Sequence, residues 1–515
     1  MGWLGPGLGP AARASDALDT LVVAKAADPQ NLDPGVTVDN NDWTITYPSY
    51  QRLMRYKVSR GGKALTQVQG DLAETWRVSQ DHLTWEFKLR PGQAFEDGTL
   101  VDAAAVKFTF DRLLRLRLGP SDAYPPDLGL VTTVVDPLTV HFSLAKPCPY
   151  FLATLASNGT GIVNPNVMGI RDAGPDARAY LANHTAGSGP YRLVRWERSR
   201  LLELGLNPHY GGPKPALSRI LVQIINDPAS RRMLLESEDL DLVGALPADQ
   251  MAELAKKPEL TLVQLPSLQA TYLYLNNRRA PLDNPLVRQA ISWAVDYPGI
   301  IKDLLKNQAT QLRGAVPEGM EGYDPGVMRY GFDLKRAKAL LDQAKVRHLH
   351  LSFLFSPRDS NWEAIAQRTQ ASLASLGIDV RLENMANSTM RDRIARGDYD
   401  ISIGTWSPDF ADPYTFMSTL FDSSKGGLAG NRSFYSNRSV DLLLREAATG
   451  TDPRQRKAEY QQAQRIAVDD AAYIYLYQTS SRICLRKVVK GFVFNPMLEF
   501  IYNFETMRKE PRPLD

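Results

Sequence analysis

Leu83-Thr84-Trp85-Glu86-Phe87-Lys88-Leu89-Arg90-Pro91-Gly92 carries the clearest local code in the chain. Leu83, Trp85, Phe87 and Leu89 alternate with polar residues, and a period of two puts them on one face of a half-buried strand. Pro91-Gly92 ends that strand, Asp97-Gly98 makes a tight turn, and a helix begins near Asp102, where Ala105, Phe108, Thr109 and Arg112 follow helical spacing. Toward the amino end, Thr20 to Ala24 reads as a short strand followed by the turn-rich loop Asp28-Pro29-Gln30-Asn31-Leu32-Asp33-Pro34. Toward the carboxyl end, Asp333 is placed to cap a helix striped by Leu334, Ala337, Leu340, Leu341 and Ala344. A strand Leu349 to Phe355, a helix around Trp362 to Leu376, a strand Asp379 to Leu382, a helix Met390 to Arg396 and an apolar strand Tyr399 to Gly404 follow. That alternation predicts an α/β fold with a largely parallel sheet. No fixed-period repeat interrupts it, so several α/β lobes packed together are expected rather than beads on a string.

Length fits this picture, since 515 residues exceed one typical domain. Apolar residues at 43% and charged residues at 23% are those of a globular chain. The 60 Lys plus Arg nearly balance the 57 Asp plus Glu, which argues against a nucleic-acid surface. The densest basic stretches, Arg112 to Arg117 and Arg482 to Lys490, are interleaved with apolar residues and read as solvated faces of amphipathic elements. Cys148 and Cys484 lie far apart without CxxC spacing; two separate buried thiols are the expected state, with a disulfide left open. No run of 18 apolar residues is present to cross a membrane. Ala12-Arg13-Ala14 before Ser15 resembles the end of a secretory signal, although a tag remains an equal reading of residues 1–14. No cysteine near it offers a lipid anchor.

Several segments resemble, in order and spacing, the peptide- and nickel-binding family of ABC-transporter extracytoplasmic solute-binding proteins. They are Leu72-Ala73-Glu74-Thr75-Trp76, the Leu83 to Gly92 strand, Phe95-Glu96-Asp97-Gly98-Thr99, Gly187-Ser188-Gly189-Pro190-Tyr191, Tyr274-Leu275-Asn276-Asn277, Val287-Arg288-Gln289-Ala290-Ile291 and Trp406-Ser407-Pro408-Asp409-Phe410-Ala411-Asp412-Pro413. The resemblance implies a periplasmic-binding-protein type II-like fold, a two-lobed flytrap with an extra domain. It implies a first lobe from residues 15–55, 186–268 and 485–515, an accessory domain over 56–185 and an opposing lobe over 269–484. It also implies an exported, periplasmic monomer that captures a small peptide and hands it to membrane permease subunits. A carrier for an opine, a sugar conjugate or a metal chelate is the alternative, and Ser407-Pro408 departs from the small-residue pair of the best-known peptide carriers.

Asp409 is the foremost site candidate. It follows an apolar strand, and open α/β sheets present ligand groups at strand carboxyl ends; by resemblance it matches the aspartate that pairs with a peptide's ammonium. Thr405, Trp406, Ser407 and Phe410 flank it as cleft walls. The polar loop Val36 to Trp43, with Val36, Val38, Asn40, Asn41 and Trp43, is expected across the cleft to lend backbone groups to an extended peptide. Asp412, just before Pro413, is read as fixing a turn. A ligand carboxylate would need a cation, for which Arg278, Arg279 and Arg313 are candidates. No cofactor or metal site is expected: His348 and His350 share a strand face without a third ligand. Thr185-Ala186-Gly187-Ser188-Gly189 lacks the first glycine of a nucleophile elbow, and neither HExxH nor a Walker Gly-Lys-Ser/Thr occurs, so the chain is expected not to be an enzyme.

Overall fold

The computed structural model describes residues 17–57, 66–499 and 501–511; the possible signal remnant or tag lies outside them. Eleven strands form one sheet, and its spine is the antiparallel pair Leu260–Leu275 and Tyr473–Arg486. Each spine strand serves two flanks. Ala270 to Leu275 pairs with Ile401–Trp406, which leads to the parallel strands Leu349–Phe355 and Ile378–Asn384. Ile483 to Leu485 pairs with Leu242–Gly244, which leads to Thr20–Lys25 and Arg219–Ile224, again parallel. Leu201–Leu206 and Tyr191–Glu197 complete that edge antiparallel. The sheet is therefore mixed where a largely parallel one was expected. Helical crossovers make the parallel pairs of each flank, whereas the spine strands run through both flanks in opposite directions.

The Leu83 to Gly92 code builds a separate four-stranded sheet. Thr84–Leu89 lies between Ala73–Val78 and Thr139–Ser143, with Val131–Asp136 outside. Trp85, Phe87 and Leu89 are buried, and Phe142 meets Phe87 edge-on at 5.7 Å and Phe110 of helix Ala103–Leu116 at 4.8 Å. Asp102 caps that helix by accepting from the Ala105 amide at 2.8 Å. Asp333 does the same for Leu334–Ala344 through the Arg336 amide.

Buried apolar residues gather accordingly. One core runs from Leu268 to Tyr477, and another surrounds the four-stranded sheet. Two more lie on opposite faces of Thr20–Lys25, with Leu21 and Val23 in one and Val22 and Ala24 in the other. Cys148 and Cys484 are unpaired and buried in different cores, where desolvation pushes their thiols up to about 12 and about 11.

The two basic stretches are solvated only in part: Arg115, Arg117, Lys487 and Lys490 are exposed, but Arg112 and Arg486 are buried. Arg112 is 2% exposed and holds Asp33 in a bidentate pair, its Nη1 donating at 2.8 Å. Arg486 and Lys509 converge on the fully buried Asp241 at 3.1 and 3.0 Å, and Asp241 also accepts from the Val22 amide. A sequence pattern gives the sign of a charge; a partner hundreds of residues away decides whether it stays in water. Arg112→Ala leaves the Asp33 carboxylate buried alone, and urea unfolding should show a loss of about 3–5 kcal/mol. The double change Asp33→Leu with Arg112→Met should cost less than that single one.

Candidate functional site

Strand Ile401–Trp406 is buried through Gly404, and its chain then turns outward into Ser407-Pro408-Asp409. The Asp409 side chain keeps accessible surface, yet protein surrounds it so fully that desolvation pushes its carboxyl up to about 6. Asp409 is an exposed residue, so a carboxyl that the surrounding protein desolvates in this way faces an open cleft rather than a packed interior. Among the described residues no hydrogen bond or ion pair reaches its carboxylate; Asp122 adds like charge and Arg432 opposes it from farther off.

The segment after Asp409 packs against the region of the four-stranded sheet. The Tyr150 ring stacks on Phe410 at 5.2 Å and on Tyr414 at 4.5 Å, and Ala411 packs into the core of the four-stranded sheet. Phe410, expected as a cleft wall, is thereby only 4% exposed. Thr405 and Trp406 are half-buried and Ser407 is exposed. Trp406 donates its indole N–H to the Thr415 carbonyl at 2.8 Å, and the Arg432 guanidinium lies 5.0 Å from its ring centre. Asp412 fixes the turn as expected, accepting from the Tyr414 amide, and in addition forms a buried bidentate pair with Arg456 at 2.7 and 2.5 Å.

Val36 to Trp43 is not a continuous loop. Asp39 accepts from the Asn41 amide at 2.8 Å and starts helix Asn40–Ser49, so only residues as far as Asp39 are free to run extended. The Asn-Asn-Asp run looked like loop composition, but an aspartate with helix-compatible residues behind it is also an N-cap. Val36 is half-buried and Val38 is 64% exposed, its side chain lying over Gly119. Gly119 opens the short turn that carries Asp122, so Val38 and Asp409 lie on either side of one seam. Asn41 and Trp43 are half-buried, and Trp43 packs on the core of the four-stranded sheet with its indole N–H unpartnered. The Asn40 side chain lies outside the described residues.

The cationic candidates need correction. Arg278 and Arg279 follow Leu275, beside the start of Ile401–Trp406, and so stand at the sheet edge opposite Asp409. Arg279 is engaged there with Asp400 at 3.0 Å, and Arg278 lies over the Phe434 ring. Three arginines missed by the sequence reading lie within electrostatic reach of one another. Arg358 follows Leu349–Phe355, which is parallel to Ile401–Trp406; Arg391 lies on helix Asn387–Arg396. Arg432 completes the set by donating to the Tyr274 hydroxyl at 2.9 Å. Burial and the like charges of Arg432 and Arg358 depress the Arg391 pKa, and among the described residues none of the three has an ion-pair partner. The signal was available: Ser356-Pro357-Arg358 leaves its strand as Ser407-Pro408-Asp409 leaves the neighbouring one.

A small pocket lies elsewhere, between Tyr47, Arg52, Asp71, Tyr210 and Glu505. Its charges are largely engaged with one another, Arg55 with Glu505 at 3.1 Å and Asp71 with the Arg52 amide at 2.9 Å. The unpaired Asp409 and the arginine cluster mark the stronger ligand site. No group of three or more potential metal ligands occurs among the described residues, and no helix among them is long and apolar enough to cross a membrane.

Comparison with known proteins agrees with this architecture. Residues 67–427 match the family described as bacterial extracellular solute-binding proteins, family 5 Middle. The chain is 52% identical over 500 residues to the probable D,D-dipeptide-binding periplasmic protein DdpA of Escherichia coli, covering 97% of this chain and 96% of that one. Among solved structures, the periplasmic binding protein DppA of Helicobacter pylori, in complex with the peptide STSA, superposes with a TM-score of 0.79 at 27% identity, covering 96% of this chain and 98% of that one. HbpA2 of Haemophilus parasuis gives 0.84 at 25% identity, covering 96% and 100%.

A desolvated carboxyl with its pKa raised penalises folding where it must ionise. Between the unfolded value of about 3.9 and the folded value of about 6 the folded state holds more protons, so stability falls as pH rises through that window. Ligand-free protein should therefore lose melting temperature from pH 4 to 6 relative to Asp409→Asn, and the two curves should run parallel above pH 7.

Proposed function

The chain belongs to family 5 of the bacterial extracellular solute-binding proteins, and from that premise we propose that it captures a dipeptide in the cleft at Asp409 and delivers it to the permease of an ABC importer. One observation carries the reading: an unpaired carboxylate and unpaired guanidiniums share a neighbour. Asp122 and Arg432 both act on the Asp409 carboxyl, and Arg432 and Arg358 both act on Arg391. A zwitterion with a free ammonium and a free carboxylate matches that set of charges, each end meeting an unpaired opposite charge. The 52% identity to a probable D,D-dipeptide-binding protein makes D,D-dipeptides the first candidates.

The protein acts as a periplasmic monomer without chemistry of its own. Capture is a closure of two lobes with an accessory domain on one of them, their boundaries near residues 55, 185, 268 and 484. Closure bends the spine where its pairing slips between Pro266 and Ala270. Gln478 supports that point, donating to the Ser267 and Glu318 carbonyls at 2.6 and 2.8 Å.

Calorimetry with D-alanyl-D-alanine, its N-acetyl form and its amide tests the reading. The free dipeptide should bind and both blocked forms should bind at least tenfold more weakly, since each leaves one of these charges unpaired. Asp409→Ala should abolish binding, and Arg358→Ala should weaken the free acid about 10–100-fold while leaving the amide unchanged. Affinity of the parent should fall as pH drops below about 6, where Asp409 takes up its proton, and Asp409→Asn should lose that slope. Equal affinity for all three ligands would exclude a zwitterion-reading site.

A further inference from the structure

The accessory domain has no strand in the large sheet, yet one of its side chains stands against the residue after Asp409. Tyr150 precedes helix Phe151–Thr154 and packs on the core of the four-stranded sheet. Its ring stacks on Phe410 at 5.2 Å with the planes 12° apart, and on Tyr414 at 4.5 Å with 33° between planes. Phe410 and Tyr414 are themselves 6.2 Å apart at 25°, so three rings contributed by two domains form one pile.

The opposing-lobe half of that pile is rigidly mounted. The Tyr414 amide donates to Asp412, and Lys425 donates to the Tyr414 hydroxyl at 3.0 Å while lying over its ring. Asp412 is held by the buried Arg456, whose guanidinium lies 5.8 Å from the Tyr150 ring centre. A mounted pair of rings presents a preformed slot, and inserting a third ring gains stacking without much further ordering. Nothing in the chain connectivity forces the contact, since Tyr150 and Phe410 are remote in sequence. The pile forms only when the accessory domain and the opposing lobe meet.

We propose that Tyr150 is a specificity-determining latch: it locks the closed lobes at the Phe410–Tyr414 slot and walls off the cleft directly beyond Asp409, so that a ligand must end there in an unsubstituted ammonium. The inference rests on the zwitterion reading for the ligand's chemistry and not for the latch itself. Phe410 adjoins Asp409 in the chain, and Asp122 and the buried Tyr56 face Asp409 and Ala411 from the accessory side. These are the accessory-side groups that an acyl substituent on the ligand nitrogen would meet. The accessory domain thus acts as the end wall that sets which peptides fit.

The test compares Tyr150→Ala and Tyr150→Phe with the parent, using D-alanyl-D-alanine and its N-acetyl form, stopped-flow release and small-angle scattering. Two ring stacks of this kind correspond to about a tenfold effect. Tyr150→Ala should release the free dipeptide about tenfold faster, bind the N-acetyl form measurably, and scatter with a larger radius of gyration; Tyr150→Phe should restore slow release. Release and N-acetyl rejection at parental levels in a folded Tyr150→Ala protein would overturn the latch. Should that variant fail to fold, Tyr414→Leu removes the slot from the opposite side and is read in the same way. Asp409→Asn run alongside separates the two ideas: parental dipeptide binding there defeats the ammonium reading, while the change in radius still decides the latch.

Discussion

Antiparallel pairing of Leu260–Leu275 with Tyr473–Arg486 is the constraint on which the molecule depends. Strands of 16 and 14 residues exceed the five or six of a typical strand, and their length is what lets one sheet serve both flanks. The ladder slips between Pro266 and Ala270 and again between Thr271 and Tyr272, irregularities at which a strand bends. Each flank keeps its own core of buried apolar residues, so each can move as a body.

Chemistry at the cleft follows from strand direction. Leu349–Phe355 and Ile401–Trp406 are parallel, so both deliver their carboxyl ends to the same edge. The segments leaving them bring Arg358 and Asp409 there. Asp409 and Arg391 are exposed, yet the protein around them displaces both pKa values toward the neutral form. Such groups are stored demand for opposite charge. A site of this kind gains selectivity because an uncharged competitor leaves the demand unmet.

Several buried charges do structural work as ion pairs. Asp33 with Arg112, Asp241 with Arg486 and Lys509, and Asp412 with Arg456 each tie segments distant in sequence. Asp409 contrasts with these satisfied pairs, since no ion pair among the described residues engages it. Fully coordinated carboxylates fix geometry; an uncoordinated one at a cleft awaits a partner.

Local order was legible in the amino acids alone. The alternation of Trp85, Phe87 and Leu89, the caps at Asp102 and Asp333, the strand at Leu349 to Phe355 and the turn at Asp412 all rest on neighbours within a few residues, and short-range sterics and hydrogen bonds decide such features. Asp409 could be singled out because strand-end placement is also local. Tertiary structure alone decided that Asp39 caps a helix where a loop was expected, that Arg112 is buried, that Arg279 is engaged with Asp400 while Arg358, Arg391 and Arg432 lie within electrostatic reach of one another, and that Phe410 is stacked under Tyr150. Each of those outcomes depends on segments that meet only after the long spine strands have paired, and pairing between remote segments leaves no periodicity for a sequence to display.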